Sequence, residues 1–237
     1  RTYRTFATFA FLADVHMSMP CFTDRLFPET GFNMVKVLEK AGCKVHYNPN
    51  QTCCGQPAFN AGYWKEMDDV GKKFLADFAN SDRYVVGPSG SCVGFVRNFY
   101  GTLYANTPVH NYYKGLRKNL FEFSEFMVDV LKVDNLGGKL KAKITYHDAC
   151  GALRECKIKE APRRLLNNIE GLEIVEMVDS ETCCGFGGTF AVKFEPISTG
   201  MADSKVNNAI ATGAEYIVST DYSCLMHLQA YIDKQQK

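Results

Sequence analysis

The chain has 237 residues, 46% hydrophobic and 22% charged, with 27 Lys and Arg against 26 Asp and Glu for a formal net charge of +1. That length buries one large core or two ordinary ones without cross-links. No stretch reaches the ~20 uninterrupted apolar residues of a membrane span, and balanced charge without a basic run argues against nucleic acid as a partner. Ten cysteines are the departure from ordinary composition, and their spacing has to decide between bridges, metal and redox chemistry.

The chain begins Arg1-Thr-Tyr-Arg4 and continues with an apolar run over 6–13. This has the layout of a truncated secretion signal without a small-x-small cleavage site, and no role in the fold is assigned to it. A strand then runs from His16 into Cys21. A helix is predicted over 29–41, with Thr30 as N-cap, Gly42 as stop, and Val35, Val37 and Leu38 on its apolar face. A short strand over 44–47 leads through polar residues into Thr52-Cys53-Cys54-Gly55. A second helix over about 63–80 precedes an apolar strand from Tyr84 that leads to Cys92. Residues 120–131 read as an extra amphipathic helix, and Gly137-Gly138 as a linker.

Beyond the linker the same order recurs. A strand from Ile144 ends at Cys150, a helix covers about 160–169, and a strand over 173–177 leads to Thr182-Cys183-Cys184-Gly185. A helix over about 201–212 then gives way to a strand from Tyr216 that leads to Cys224. The offsets are 129 residues between the first cysteines, 130 between the Cys-Cys-Gly triplets and 132 between the last cysteines. Ordered agreement of this kind predicts an α/β protein of two pseudo-repeated β-α-β-α-β halves with parallel sheets, the first over 14–135 and the second over 136–237.

Parallel sheets gather ligands beyond the carboxyl ends of their strands, where the cysteines fall. Each half contributes four thiols: Cys21, Cys53, Cys54 and Cys92, then Cys150, Cys183, Cys184 and Cys224. Four thiolates suit an iron–sulfur cluster or tetrahedral zinc. Gly55, Gly185, Gly187 and Gly188 let backbone approach such a group and offer N–H donors to sulfur. Burial as small hydrophobes and pairing as disulfides are the plainer accounts, and repetition of the whole constellation counts against both. Cys43 and Cys156 have no counterpart in the other half and stay outside the ligand set. His147, three residues before Cys150, is placed either behind the ligands or as a replacement ligand, whereas His16, His46, His110 and His227 read as surface or core residues. The Gly185-Phe-Gly-Gly188 loop lacks the spacing of a nucleotide fingerprint, and Ser89-Gly-Ser91 lacks the partners of a hydrolase nucleophile.

With these residues in view the chain resembles the CCG-domain (cysteine-rich domain) family. That repeat is a cysteine, roughly thirty residues, Cys-Cys-Gly, roughly thirty-five residues and a closing Cys-x-x-Cys. The segments Gln51-Thr-Cys-Cys-Gly-Gln-Pro57 and Cys183-Cys-Gly-Phe-Gly-Gly-Thr-Phe-Ala-Val-Lys193 are most similar to the lactate-utilisation A group. The CCG-bearing subunit of heterodisulfide reductase and the iron–sulfur subunits of glycerol-3-phosphate and glycolate dehydrogenases are more distant. Two positions depart from the pattern: Ser89 and Asp221 replace the first cysteine of each closing Cys-x-x-Cys, and Gly151 stands where many relatives carry histidine.

The resemblance implies one or two iron–sulfur clusters of the [4Fe-4S] type and an electron-transfer subunit of a multi-subunit L-lactate or 2-hydroxy acid oxidation system in the cytoplasm. Such a subunit is itself non-catalytic. Its partners would be other subunits of that complex, including one of ferredoxin type, since this chain has neither the ferredoxin cysteine run nor a flavin fingerprint. Two alternatives stand beside it: a zinc-stabilised four-cysteine interaction scaffold, and a thiol–disulfide oxidoreductase acting through the vicinal pairs.

Overall fold

The computed structural model describes residues 13–78 and 82–236. The signal-like run before Ala13 and the end of the helix expected over 63–80 lie outside the described residues.

The first half opens with β1 (Ala13–Met17), α1 (Cys21–Leu26), α2 (Pro28–Lys40) and β2 (Cys43–Tyr47). It continues with α3 (Gln56–Ala61), α4 (Trp64–Phe78), β3 (Tyr84–Gly87), α5 (Gly90–Leu103), α6 (His110–Asn119), β4 (Leu120–Glu122) and α7 (Phe123–Glu125), then a π-helical turn over Phe126–Val130. Its four strands run in the order β2-β1-β3-β4, and each neighbouring pair is parallel. The second half has β5 (Lys139–Tyr146), a π-helical turn over Gly151–Glu155, α8 (Glu160–Asn167) and β6 (Glu170–Ile174). It closes with α9 (Phe190–Lys193), α10 (Glu195–Ala211), β7 (Tyr216–Val218) and α11 (Tyr222–Gln235), and its parallel sheet runs β6-β5-β7. The expected α/β architecture of two repeated halves with parallel sheets is thus the one observed.

Helix α2 begins with Pro28 at its first position, pre-set for helical φ, so Phe27 and not Thr30 is its N-cap. Its buried face is Gly31, Met34 and Leu38, with Val35 and Val37 half-buried beside them. Together with Phe126 and Met127 this face covers one side of the first sheet. The other side carries Phe74, Leu75 and Phe78 of α4, Tyr100 of α5 and Leu116 of α6. In the second half Ala202 and Val206 of α10 and Leu228 of α11 form the corresponding core.

Two further expectations are corrected. Residues 120–131 are not one amphipathic helix: Leu120–Glu122 pairs with β3 as an edge strand, and only the remainder is helical. The free edge of β3 offers backbone N–H and C=O groups that a strand satisfies and a helix does not. The strand expected over 173–177 lies earlier, at Glu170–Ile174, in register with β5.

Candidate functional site

Every one of the eight cysteines expected to act together follows a strand of its own half. Cys21 starts α1 after β1, Cys53 and Cys54 lie in the loop after β2, and Cys92 sits in the first turn of α5 after β3. Cys150, the pair Cys183–Cys184, and Cys224 repeat those positions after β5, β6 and β7. The two rims face each other, so all eight thiols line a single cavity of about 490 Å³. Phe22 meets Phe186 edge-on at 5.7 Å and Phe27 lies 4.0 Å from Tyr222, each pair with one ring from each half. A second hollow of about 660 Å³, between β7, α10 and α11, contains no cysteine or histidine.

Within each half the sulfurs form a close-set group. Cys21 donates to Cys53 across 3.6 Å, and the Gly55 N–H donates to the same Cys53 sulfur at 3.4 Å. In the second half the Gly185 N–H donates to Cys183 at 3.4 Å. Both glycines hold positive φ, +84° and +94°, the left-handed backbone that turns the N–H back onto the preceding sulfur. Thiol donors push Cys53 and Cys183 far below the usual thiol range: Cys21 then Cys54 for the first, Cys150 then Cys184 for the second. Cys21, Cys54, Cys150 and Cys184 are pushed up, because each gives its proton to a neighbouring sulfur and is buried. In each half the lowered sulfur is the one that the neighbouring thiols and the following glycine N–H all face. Gly187 and Gly188 line the cavity, while Gly55 and Gly185 act from behind the sulfurs.

The other two cysteines stay away. Cys43 opens β2 and is buried in the first half's core, where burial raises it to about 11, and Cys156 donates to the Gly90 carbonyl at 3.5 Å and is raised by burial to about 12.

The second set has company that the first lacks. His147 is fully buried and neither ring nitrogen makes a well-formed hydrogen bond, yet one of its nitrogens and the sulfurs of Cys184 and Cys224 lie within 4.8 Å of one another. Burial lowers His147 to about 4, so the ring is neutral at pH 7 with a lone pair to give. Lys205, 2% exposed, is anchored on the Asp179 and Ser180 carbonyls and places a cation near Cys183 and Cys184. The strand end carrying His147 is clamped by Arg163, which donates two 2.8 Å bonds to Asp148, also bonds Glu176, and stacks 4.5 Å over the Tyr146 ring.

The sequence did not disclose what joins the two sets. Ser89 and Asp221, 132 residues apart and equivalent in the repeat, meet in an antiparallel bridge. The buried Asp221 carboxylate accepts from Ser89 Oγ at 3.1 Å, Ser91 Oγ at 3.0 Å, Ser223 Oγ at 3.2 Å and the Ser91 N–H at 2.8 Å. Beside it α5 packs so closely on the turn after Cys150 that a Cβ on Gly151 would lie 2.6 Å from Ser91 Cα. No side chain fits at that position, which accounts for the glycine there.

The duplicated Cys…Cys-Cys-Gly…Cys framework that faces this cavity coincides with the two stretches matched by the cysteine-rich domain (CCG) family model, residues 15–97 and again 144–229. The chain belongs to the CCG cysteine-rich domain family. Among relatives of this CCG protein, lactate utilization protein A of an Exiguobacterium species is 41% identical over 226 residues, covering 94% of this chain and 92% of that protein. The protein of the same name from Geobacillus kaustophilus is 39% identical over 223 residues, with 94% and 93% covered. That from Halalkalibacterium halodurans is 41% identical over 224 residues, with 94% and 91% covered. No helix among the described residues is long and apolar enough to cross a membrane.

Proposed function

We propose that this CCG protein is the iron–sulfur electron-transfer subunit of a multi-protein L-lactate or related 2-hydroxy acid oxidation system, acting in the cytoplasm beside partner subunits that include one of ferredoxin type. The observation that carries the proposal is the convergence of two complete four-thiol sets on one 490 Å³ cavity, in a chain about 40% identical to proteins named for lactate utilization. Each set would hold one cluster, of the [4Fe-4S] type: Cys21, Cys53, Cys54 and Cys92 the first, Cys150, Cys183, Cys184 and Cys224 the second. The donors fit such a group. The sulfurs are clustered, one in each half accepts a glycine N–H, and a buried imidazole nitrogen lies beside those of Cys184 and Cys224.

A bound cluster supplies one-electron acceptance and release at a potential set by its surroundings. The chain's own residues set those surroundings. Burial of Cys54, Cys184 and Cys224 keeps water from the sulfurs. The Gly55 and Gly185 N–H groups bond thiolate and so favour added negative charge. The buried Lys205 does the same electrostatically for the second set. The two-electron chemistry on the hydroxy acid falls to a partner subunit.

One distance favours a second reading. Four thiolates about 2.3 Å from a zinc ion lie roughly 3.8 Å apart at tetrahedral angles, and the Cys21–Cys53 separation is 3.6 Å. Iron, acid-labile sulfide and zinc per chain, measured on anaerobically purified protein with its visible spectrum, separate the two. About four or eight iron with matching sulfide is expected. Stoichiometric zinc without sulfide would make this a structural module and end the electron-transfer proposal.

A further inference from the structure

The two halves offer the same backbone at one position and different chemistry on it. Three residues before the first cysteine of its half, Ser18 donates its N–H to the Val86 carbonyl at 2.9 Å. At the same place in the second half His147 donates its N–H to the Val218 carbonyl at 2.8 Å. The repeat therefore places a serine and a histidine at equivalent points above equivalent strands. The serine is an ordinary buried hydroxyl. The histidine is 0% exposed, and neither Nδ1 nor Nε2 makes a well-formed hydrogen bond, although the Ser180 backbone lies close enough to act on the ring.

Leaving one buried polar group unpaired costs about 1–3 kcal/mol, and an imidazole with neither nitrogen well bonded is a poor occupant of a core. One ring nitrogen lies within 4.8 Å of two sulfurs, those of Cys184 and Cys224, which are themselves within that span of each other. A metal between the three would satisfy the nitrogen and both sulfurs at once. Neutral imidazole is a common partner of thiolate around zinc and in mixed-ligand iron–sulfur centres.

We propose that His147 is a metal ligand of the second set, closing it with Cys184 and Cys224 into a mixed imidazole–thiolate site, while the first set is bound by thiolates alone. This rests on the proposed function only in taking both sets to hold metal. It adds that the two sites are unequal. Where the imidazole takes the place of a thiolate, the second site would carry one negative charge fewer than the first and would hold an added electron more readily.

The test is a nitrogen signature. The full-length protein is produced with ring-¹⁵N histidine, purified anaerobically with its iron and sulfide, reduced, and measured by pulsed electron paramagnetic resonance. A nitrogen coupling that changes with the label and disappears in His147→Ala is expected. A reduced signal with no label-sensitive coupling overturns the proposal. Cobalt(II) titration of the metal-stripped chain asks the same question whichever native metal is found. His147→Ala should weaken binding at one of two sites roughly tenfold or more, and His147→Cys should restore affinity with a shifted absorption band. Identical cobalt spectra and affinities in wild type and both variants would remove His147 from the site. Absent iron and sulfide with an intact cobalt difference would instead end the electron-transfer reading and leave the ligand assignment standing.

Discussion

At the scale of single residues Asp221 is a costly group to bury. Its carboxylate is 3% exposed, and burial pushes its pKa up even though one amide and three hydroxyls donate to it. Removing it leaves the Ser91 N–H without an acceptor. Asp221→Ala is therefore expected to lower stability by about 3 kcal/mol, as removal of one partner from a buried charged network does. Asp221→Asn keeps one oxygen for that N–H and should cost less than half as much. Urea midpoints of the metal-loaded proteins decide it, and equal losses for the two variants would show that the hydrogen bonds are not what matters. The gathering of the eight cysteines was legible in the sequence because the same cysteine spacing recurs in both halves and each cysteine follows a strand. The Ser89–Asp221 contact was not. The repeat makes the two positions equivalent, but only the approach of one rim to the other makes them neighbours. Gly151 is the same case, a glycine whose reason lies in the other half of the chain, in the backbone of Ser91.

Among the elements, the stretch from Leu120 to Val130 shows how a pattern can fit more than one structure. Its apolar residues suit a helix, and the second part is helical, but the first three pair with β3. Glu122 marks the change: its carboxylate accepts from the Ser124 and Glu125 N–H groups and from the Ser124 hydroxyl, while Glu125 answers with a bond to the Glu122 N–H, a complete capping box. Glu122 is 2% exposed, and burial outweighs those bonds to raise its pKa from 4.5 to about 7. Below pH 4.5 the group is protonated in both folded and unfolded chains, and its contribution is fully present. Between there and about 7 the unfolded chain has released a proton the folded chain keeps, so stability falls as pH rises through that window. The loss amounts to about 3 kcal/mol at about 1.36 kcal/mol per unit. The difference in unfolding free energy between wild type and Glu122→Gln, followed from about pH 4.5 to about 7.5, should carry this slope, and a flat difference would refute the assignment.

For the whole molecule the question is whether one cavity means one site. Parallel strands bring the cysteines of each half to its own rim, and each four-thiol set is drawn entirely from one half. The bridge through Ser89, Ser91 and Asp221 then holds the rims at a fixed separation without lending either set a ligand. Geometry of this kind predicts two occupants that share walls and not donors. Replacing Cys53 and Cys54 together by Ser should halve the metal content and leave the spectrum of the second site, including any signature of His147, unchanged. The matching change of Cys183 and Cys184 should leave only the first. Denaturant midpoints should fall in both variants because a bound metal stabilises the half that holds it. If either pair of substitutions empties the cavity altogether, the eight thiols serve a single group held between the halves. The duplication would then have built one site from two repeats, where separate ligand sets call for two.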